Sequence, residues 1–433
     1  MSRKSKRSNP FRILLILGII GIVIYANQVY VPTIPTLFGP TPTATRPAES
    51  YVTDAQTLEA AGKYTLAMSA YKDAIKADPT NPANYIALCR LEIYTGNYAD
   101  AVTQAENALL LNSQNDTAMS LKGWAQSFTG DYLQAEGTLK DALAINGNNA
   151  AAYAYLSEVY LDMVNAGVGT LDTSQNAIDF SKKAVELAPS ALETHRVRGL
   201  VLSYTGNYDE AITEFQAAIA INPNIADLHL QLGINYNAAT QYDKAITEYT
   251  TANALNPKDP TPETLISKTY LMNGEYAKAV QYAEAALQDD PTDPYLYGNL
   301  GLTYWRNSQY QDAVDALKMA VQGGTTSTGA AVKGLNMDYS TAGQFYYTYG
   351  LALSKVGQCN LALQIAQAVA TGMRDDEIAV YNAQEVINTC DLLAKAGSTD
   401  VPTATPGSYQ LDATATPEIT TTITPTVMVT PTP

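Results

Sequence analysis

Residues 206–223 read GNYDEAITEFQAAIAINP. Gly206 and Asn207 suit a tight turn between two helices, Tyr208 carries a large ring into the second helix, and Pro223 stops that helix. Ala211 and Ala218 fall on one helical face, where small side chains let a neighbouring helix come close. The same order of residues recurs along most of the chain. Counted from the turn residue, the copies begin at Gly62, Gly96, Gly130, Asp172, Gly206, Thr240, Gly274, Ser308 and Gly357, 34 residues apart except for intervals of 42 and 49. Two residues past the turn stand Tyr64, Tyr98, Tyr132, Tyr208, Tyr242, Tyr276 and Tyr310, with Ser174 and Cys359 departing. Five past it every unit has Ala, from Ala67 to Ala362, and twelve past it Ala runs from Ala74 to Ala320, with Val369 last.

Upstream of each turn the periodicity predicts another helix, marked by a small residue: Ala55, Cys89, Gly123, Ser157, Gly199, Gly233, Ser267, Gly301 and Gly350. Leu232, Gly233 and Tyr236, like Leu300, Gly301 and Tyr304, give the fuller form L-G-x-x-Y. A 34-residue unit with this first helix, followed by Tyr, Ala, Ala and Pro, closely resembles the tetratricopeptide repeat. The resemblance covers residues 49–374. It implies an all-α solenoid of about nine helix-turn-helix repeats, wound as a right-handed superhelix whose concave groove is lined by the first helices. The two long intervals are insertions, residues 164–171 and 325–339, expected as surface loops. Residues 375–395 read as a capping helix with acids at its start.

Outside the repeats the composition changes. Arg3, Lys4, Lys6, Arg7 and Arg12 make the N-terminus basic, and the first acid is Glu49. Residues 11–31, with the apolar core ILLILGIIGIVIYA at 13–26, are expected to form a single N-terminal transmembrane signal-anchor behind a cytoplasmic segment at 1–10, which would export the repeat body. A cleaved signal peptide competes, although Ile24, Tyr25 and Ala26 make a poor cleavage site, and a lipoprotein signal lacks its Cys. Residues 32–48 and 396–433 are rich in Thr and Pro and are expected as a disordered linker and tail.

The chain of 433 residues has 46% hydrophobic and only 16% charged residues, and its 30 Tyr stand against six Phe. Beyond residue 12 there are 21 bases against 42 acids, which disfavours nucleic acid and anionic lipid as partners of the body. No pattern points to a catalytic residue, cofactor or metal: G-x-S-x-G and phosphate-loop signatures are missing, and the acids at 289, 290 and 293 lack the spacing of a calcium loop. His195 and His229 occupy equivalent places in successive units, where other units have Tyr, so they read as packing positions. Cys359 and Cys390 are brought toward one edge by stacking and form a candidate disulfide, the alternative being two free thiols.

If each marker faces its paired helix, the residues six and three before it, and one, four and five after it, share the concave face. This face would display Arg90, Ile93, Tyr94, Trp124, Phe128, Arg196, Tyr204, Lys268, Tyr295, Trp305, Arg306 and Tyr347. Aromatic and Arg side chains are favoured anchors, so the groove reads as a surface for protein or peptide segments. The competing reading is that Trp124, Phe128 and Trp305 complete packing between units. The expected function is a non-catalytic, membrane-anchored scaffold on the exported side. The alternative is a cell-surface protein binding small molecules or carbohydrate through the same Tyr-rich face. An enzyme built on the 325–339 loop is a third class, with no residue there to support a reaction.

Overall fold

The computed structural model describes residues 9–26, 28, 46–170 and 172–395. Among these, helix α1 spans Pro10–Tyr25, and from residue 48 the helices come in pairs. The pairs are α2 (Ala48–Ala60) with α3 (Tyr64–Ala77), α4 (Pro82–Tyr94) with α5 (Tyr98–Leu111), and α6 (Asp116–Phe128) with α7 (Tyr132–Ile145). Next come α8 (Ala150–Asn165) with α9 (Thr173–Leu187), α10 (Leu192–Tyr204) with α11 (Tyr208–Ile221), and α12 (Ala226–Ala238) with α13 (Tyr242–Leu255). The last pairs are α14 (Thr261–Met272) with α15 (Tyr276–Asp289), α16 (Pro294–Arg306) with α17 (Tyr310–Gln322), and α18 (Thr341–Lys355) with α19 (Cys359–Gly372). A final helix, α20 (Glu377–Lys395), packs on both α18 and α19. Stacking of α4 on α6, α6 on α8, α8 on α10, and again α14 on α16 and α16 on α18, puts first helices side by side along one face.

The repeat positions have distinct physical tasks. In seven units the second helix opens on the recurrent Tyr, and α19 opens on Cys359 instead. The Ala five past the turn is fully buried in every unit, from Ala67 to Ala362, because any larger side chain there would hold the paired helices apart. The first-helix marker faces the same contact. A Cβ added at Gly233 would stand 2.5 Å from the Tyr249 ring and 3.2 Å from the Ala245 carbonyl. Where the marker is Ser, its hydroxyl donates to that same second-helix Ala carbonyl: Ser157 to Ala177 at 2.6 Å and Ser267 to Ala279 at 2.8 Å.

The turn is a Schellman closure of the first helix. After α10, Gly206 N–H donates to Ser203 O and Asn207 N–H to Leu202 O, at 3.1 and 2.8 Å, with Gly206 at φ +78°. Thr240 and Ser308 hold this place in their units and adopt φ +59° and +63°, a region that costs an L-residue about 1–2 kcal/mol. Thr240→Gly is therefore expected to stabilise the chain by about 0.5–1 kcal/mol, the larger flexibility of unfolded glycine offsetting part of the relief. A higher urea midpoint for the variant would show it; an unchanged or lower one would refute it.

Three expectations are revised. In the unit with the eight-residue insertion the left-handed turn residue is Gly167 (φ +68°), not Asp172, because α8 runs on to Asn165 and absorbs part of the insertion. The second insertion is loop over most of its length but contains a short antiparallel hairpin, β1 (Gly323–Thr325) with β2 (Ala331–Lys333), in the register Gly323 to Lys333. The hairpin is held on the solenoid by Leu335 N–H donating to Ala320 O at 2.9 Å and the Tyr346 hydroxyl donating to Leu335 O at 2.7 Å. The third concerns the membrane helix. Among the described residues no helix is long and apolar enough to cross a membrane. The 16 residues of α1 are about 24 Å long at 1.5 Å each, short of a roughly 30 Å hydrocarbon core. The expected anchor over 11–31 is thus described only in part. Residues 1–8, most of the linker and the whole tail at 396–433 lie outside the described residues.

Candidate functional site: the inner face of the first helices

Two halves of the inner face differ. In the first half the rings of Tyr64, Tyr94, Trp124 and Tyr155 follow one another at centroid distances of 6.2, 6.1 and 4.3 Å, the last pair stacked in parallel. Tyr98 stacks on Phe128 at 4.4 Å. Trp124 Nε1–H donates to Glu158 Oε2 at 2.8 Å. The Arg196 guanidinium lies 5.1 Å from the Trp124 ring centroid and grips both oxygens of Glu158, at 2.5 and 2.7 Å, while its Nε–H donates to Asp227 Oδ2 at 3.1 Å. Here the planar fork of Arg satisfies two acids and covers an aromatic face at once. Asp162 sits beside this network; burial and the Glu158 charge push its carboxyl well above the usual range, against the pull of Arg196.

This half is also closed across the superhelix. The Tyr64 hydroxyl donates to Asn222 Oδ1 at 3.2 Å, 158 residues away, and Gly62 lies against the Asn224 side chain. Tyr94 is half-buried between the cores of the first units and that around Leu202 and Phe215. Consequently Ile93, Trp124 and Arg196, at 4%, 2% and 6% exposure, are floor rather than contact surface. Of the other expected residues in this half, Arg90 and Phe128 are half-buried and Tyr204 is exposed. Sequence reasoning missed Tyr155, Glu158 and Asp227. Glu158 was within reach, since it lies one period beyond Trp124 and two beyond Arg90.

Glu92, on α4, is 1% exposed, and its nearest cation is Lys72 Nζ at 3.6 Å. Burial pushes its pKa up to about 7, against the pull of Lys72. A carboxyl raised above its unfolded value contributes stability that is fully present below about pH 4.5 and lost as pH rises through about 7. Glu92→Gln is therefore expected to stabilise the chain by about 2 kcal/mol at pH 8 and to change little at pH 5. Urea unfolding at the two pH values checks it, and an equal effect at both would exclude titration as the cause.

The second half is open. Lys268 on α14 and Arg306 on α16 are exposed, as is Lys355, which has the register of Tyr94, Phe128 and Arg306. Among the described residues these three cations form no ion pair, whereas Arg196 is fully engaged. Protein packed around the Lys268 stem pulls its ammonium below the ordinary lysine value. Tyr295, Trp305 and Tyr347 are half-buried, Tyr295 meeting Phe345 edge-on at 6.2 Å and Trp305 meeting Tyr310 at 5.2 Å.

The histidines are tied up within the repeats. His195 Nδ1 is 2.7 Å from Glu214 Oε2, and His229 Nδ1 is 2.7 Å from Glu248 Oε2 with its Nε2 3.0 Å from the Pro223 carbonyl. Burial lowers the His229 imidazole, but Glu248 and the Pro223 carbonyl outweigh it and leave its pKa raised. Among the described residues no group of His, Cys, Asp and Glu is placed to hold a metal ion. Cys359 and Cys390 are joined as a disulfide between α19 and α20, and Cys89 is a buried free thiol.

A TPR repeat family model matches residues 199–238, and tetratricopeptide repeat models match residues 58–124 and 265–328. Solved structures similar to the chain include a thermophilic TPR protein of Thermus thermophilus, 24% identical, which covers 44% of this chain and 100% of its own with a TM-score of 0.38. MamA is 27% identical over 39% of this chain and 94% of its own, with a TM-score of 0.32. Pseudomonas aeruginosa pilF is 18% identical over 47% and 88%, with a TM-score of 0.39. No curated protein sequence matches. Three separate tetratricopeptide-repeat models thus match this chain, each falling in units whose small, aromatic and turn residues keep one register.

Proposed function

We propose that the chain is a non-catalytic scaffold that binds protein or peptide segments in the second half of its groove, over α14, α16 and α18. Tetratricopeptide repeats generally mediate protein–protein interaction, which supports the class. The observation that carries the placement is the contrast between halves: Trp124 and Arg196 are consumed internally, whereas Lys268, Trp305, Arg306 and Tyr347 keep cationic and aromatic surface open among the described residues. Such groups anchor extended segments through ring faces and charge-assisted hydrogen bonds.

The same reading places the repeats outside the cytoplasm, tethered by the N-terminal segment. Its support is the basic cluster before residue 13, the uncharged run that follows, and the Cys359–Cys390 disulfide, which belongs in an oxidising compartment.

The test is crosslinking and co-purification from native membranes, comparing wild type with Lys268→Glu/Trp305→Ala/Arg306→Glu after circular dichroism shows equal helicity. Partners captured by wild type and lost by the folded variant support the groove. An unchanged set of partners refutes it. Recovery of the chain only in the soluble fraction refutes the tether.

A further inference from the structure

The second half of the groove has a candidate ligand in the chain itself. Residues 396–433 contain no Lys, Arg or His, and carry Asp400, Asp412 and Glu418 among six Pro and many Thr. The opposing surface exposes Lys268, Arg306 and Lys355, which among the described residues have no ion-pair partner, in a protein whose formal net charge is −16, although Asp293 and Asp338 lie near Tyr295 and Asp376 near Tyr347. It is also lined by Tyr295, Trp305 and Tyr347. Aromatic-lined grooves take Pro-rich segments well, because a chain already held near the polyproline conformation loses little entropy on docking.

Geometry brings the two together. The disulfide fixes Cys390, near the end of α20, to Cys359, the first residue of α19. One short turn before Cys359, α18 ends on Lys355. The described residues end at Lys395, five past Cys390 and so within two helical turns of the tie to Cys359, which follows Lys355 by four residues. Three neighbouring first helices at roughly 10 Å spacing make this half about 20–30 Å long. About ten residues at 3.1 Å each would cover it, fewer than separate Asp400 from Glu418.

We propose that residues 396–433 dock in the groove of α14, α16 and α18 as an intramolecular ligand, their acids on Lys268, Arg306 and Lys355 and their prolines on Trp305 and Tyr347. This rests on the same groove as the scaffold reading and adds its regulation. A tethered ligand competes at an effective concentration on the order of millimolar, so a weak external segment would be excluded and a strong one would displace the tail.

The test uses the intact purified chain and a carbodiimide, which joins an amine to a carboxyl only where the two are in contact. The expected result is coupling of Lys268 or Lys355 to Asp400, Asp412 or Glu418 within a single copy, identified by mass spectrometry of the monomer band. Arg306→Glu, which removes no amine, is expected to lower that yield about fivefold. A photoreactive residue in place of Tyr347, p-benzoylphenylalanine, gives an independent map without relying on charge and should label the tail. Coupling confined to repeat-body acids, tail coupling only between copies, or labelling at 347 that never reaches the tail would each overturn the proposal. The outcomes separate from those of the scaffold reading: groove-dependent capture of partners without tail coupling sinks only the tail, and tail coupling without any groove-dependent partner sinks only the scaffold.

Discussion

Arg196→Met is expected to lower the free energy of unfolding by about 3–5 kcal/mol, the range for removing one partner of a buried ion pair. Arg196 is 6% exposed and answers Glu158 through two hydrogen bonds and Asp227 through a third, while covering the Trp124 ring. Without it Glu158 keeps only the Trp124 indole N–H, and Glu158, Asp162 and Asp227 face one another with no cation between them. The loss should shrink as pH falls, because Asp162, its carboxyl already raised by burial and the Glu158 charge, takes up a proton and leaves fewer stranded charges. Glu158→Leu/Arg196→Met should recover part of the loss, since two apolar groups leave fewer buried charges unanswered than one stranded acid. Urea titrations of the two variants at pH 5 and pH 8 decide it. A single variant that loses less than about 1 kcal/mol would mean the network is effectively solvated.

How much of this was visible beforehand depends on the range over which each feature is determined. The recurrent Tyr, the two Ala positions and the turn residue are set inside one unit by how closely two helices approach, so Ala211, Ala218 and Gly206 could be read directly from residues 206–223. The inner-face register was equally local: Arg90, Trp124, Glu158 and Lys268 all follow a small marker by one residue. What no residue encodes is where the superhelix closes. That depends on a small rotation added at every unit, and only its sum brings Tyr64 to Asn222 and turns Trp124 and Arg196 from groove contacts into floor. The shift from Asp172 to Gly167 was hidden for a simpler reason. Counting periods fixes how many residues are inserted but not whether a helix or a loop takes them, and α8 took some. The hairpin at 323–333 escaped because two three-residue strands carry too short an alternation to register, and their pairing depends on support from α17.

Replacing both Cys359 and Cys390 by Ala is expected to cost about 3–4 kcal/mol, with the effect confined to one end of the molecule. The crosslink closes a 31-residue separation, and removing a loop of that size from the unfolded ensemble accounts for the magnitude. Both positions are at most 1% exposed, so Ala leaves no buried polar group, only the loss of the tie and of the sulfur contacts. The restriction to one end follows from the architecture. In a linear array each unit feels its neighbours, so release of α20 uncovers Tyr349, Leu353 and Ala366 on α18 and α19, while the core around Trp124 and Tyr155, many units away, keeps its own contacts. Hydrogen exchange by mass spectrometry distinguishes this from global weakening. Protection should fall across residues 341–395 and remain unchanged over 116–165, and the same pattern should appear when wild type is treated with a reductant. Equal loss of protection along the whole array would show that the units unfold together, and that the cap secures the entire solenoid rather than its last unit.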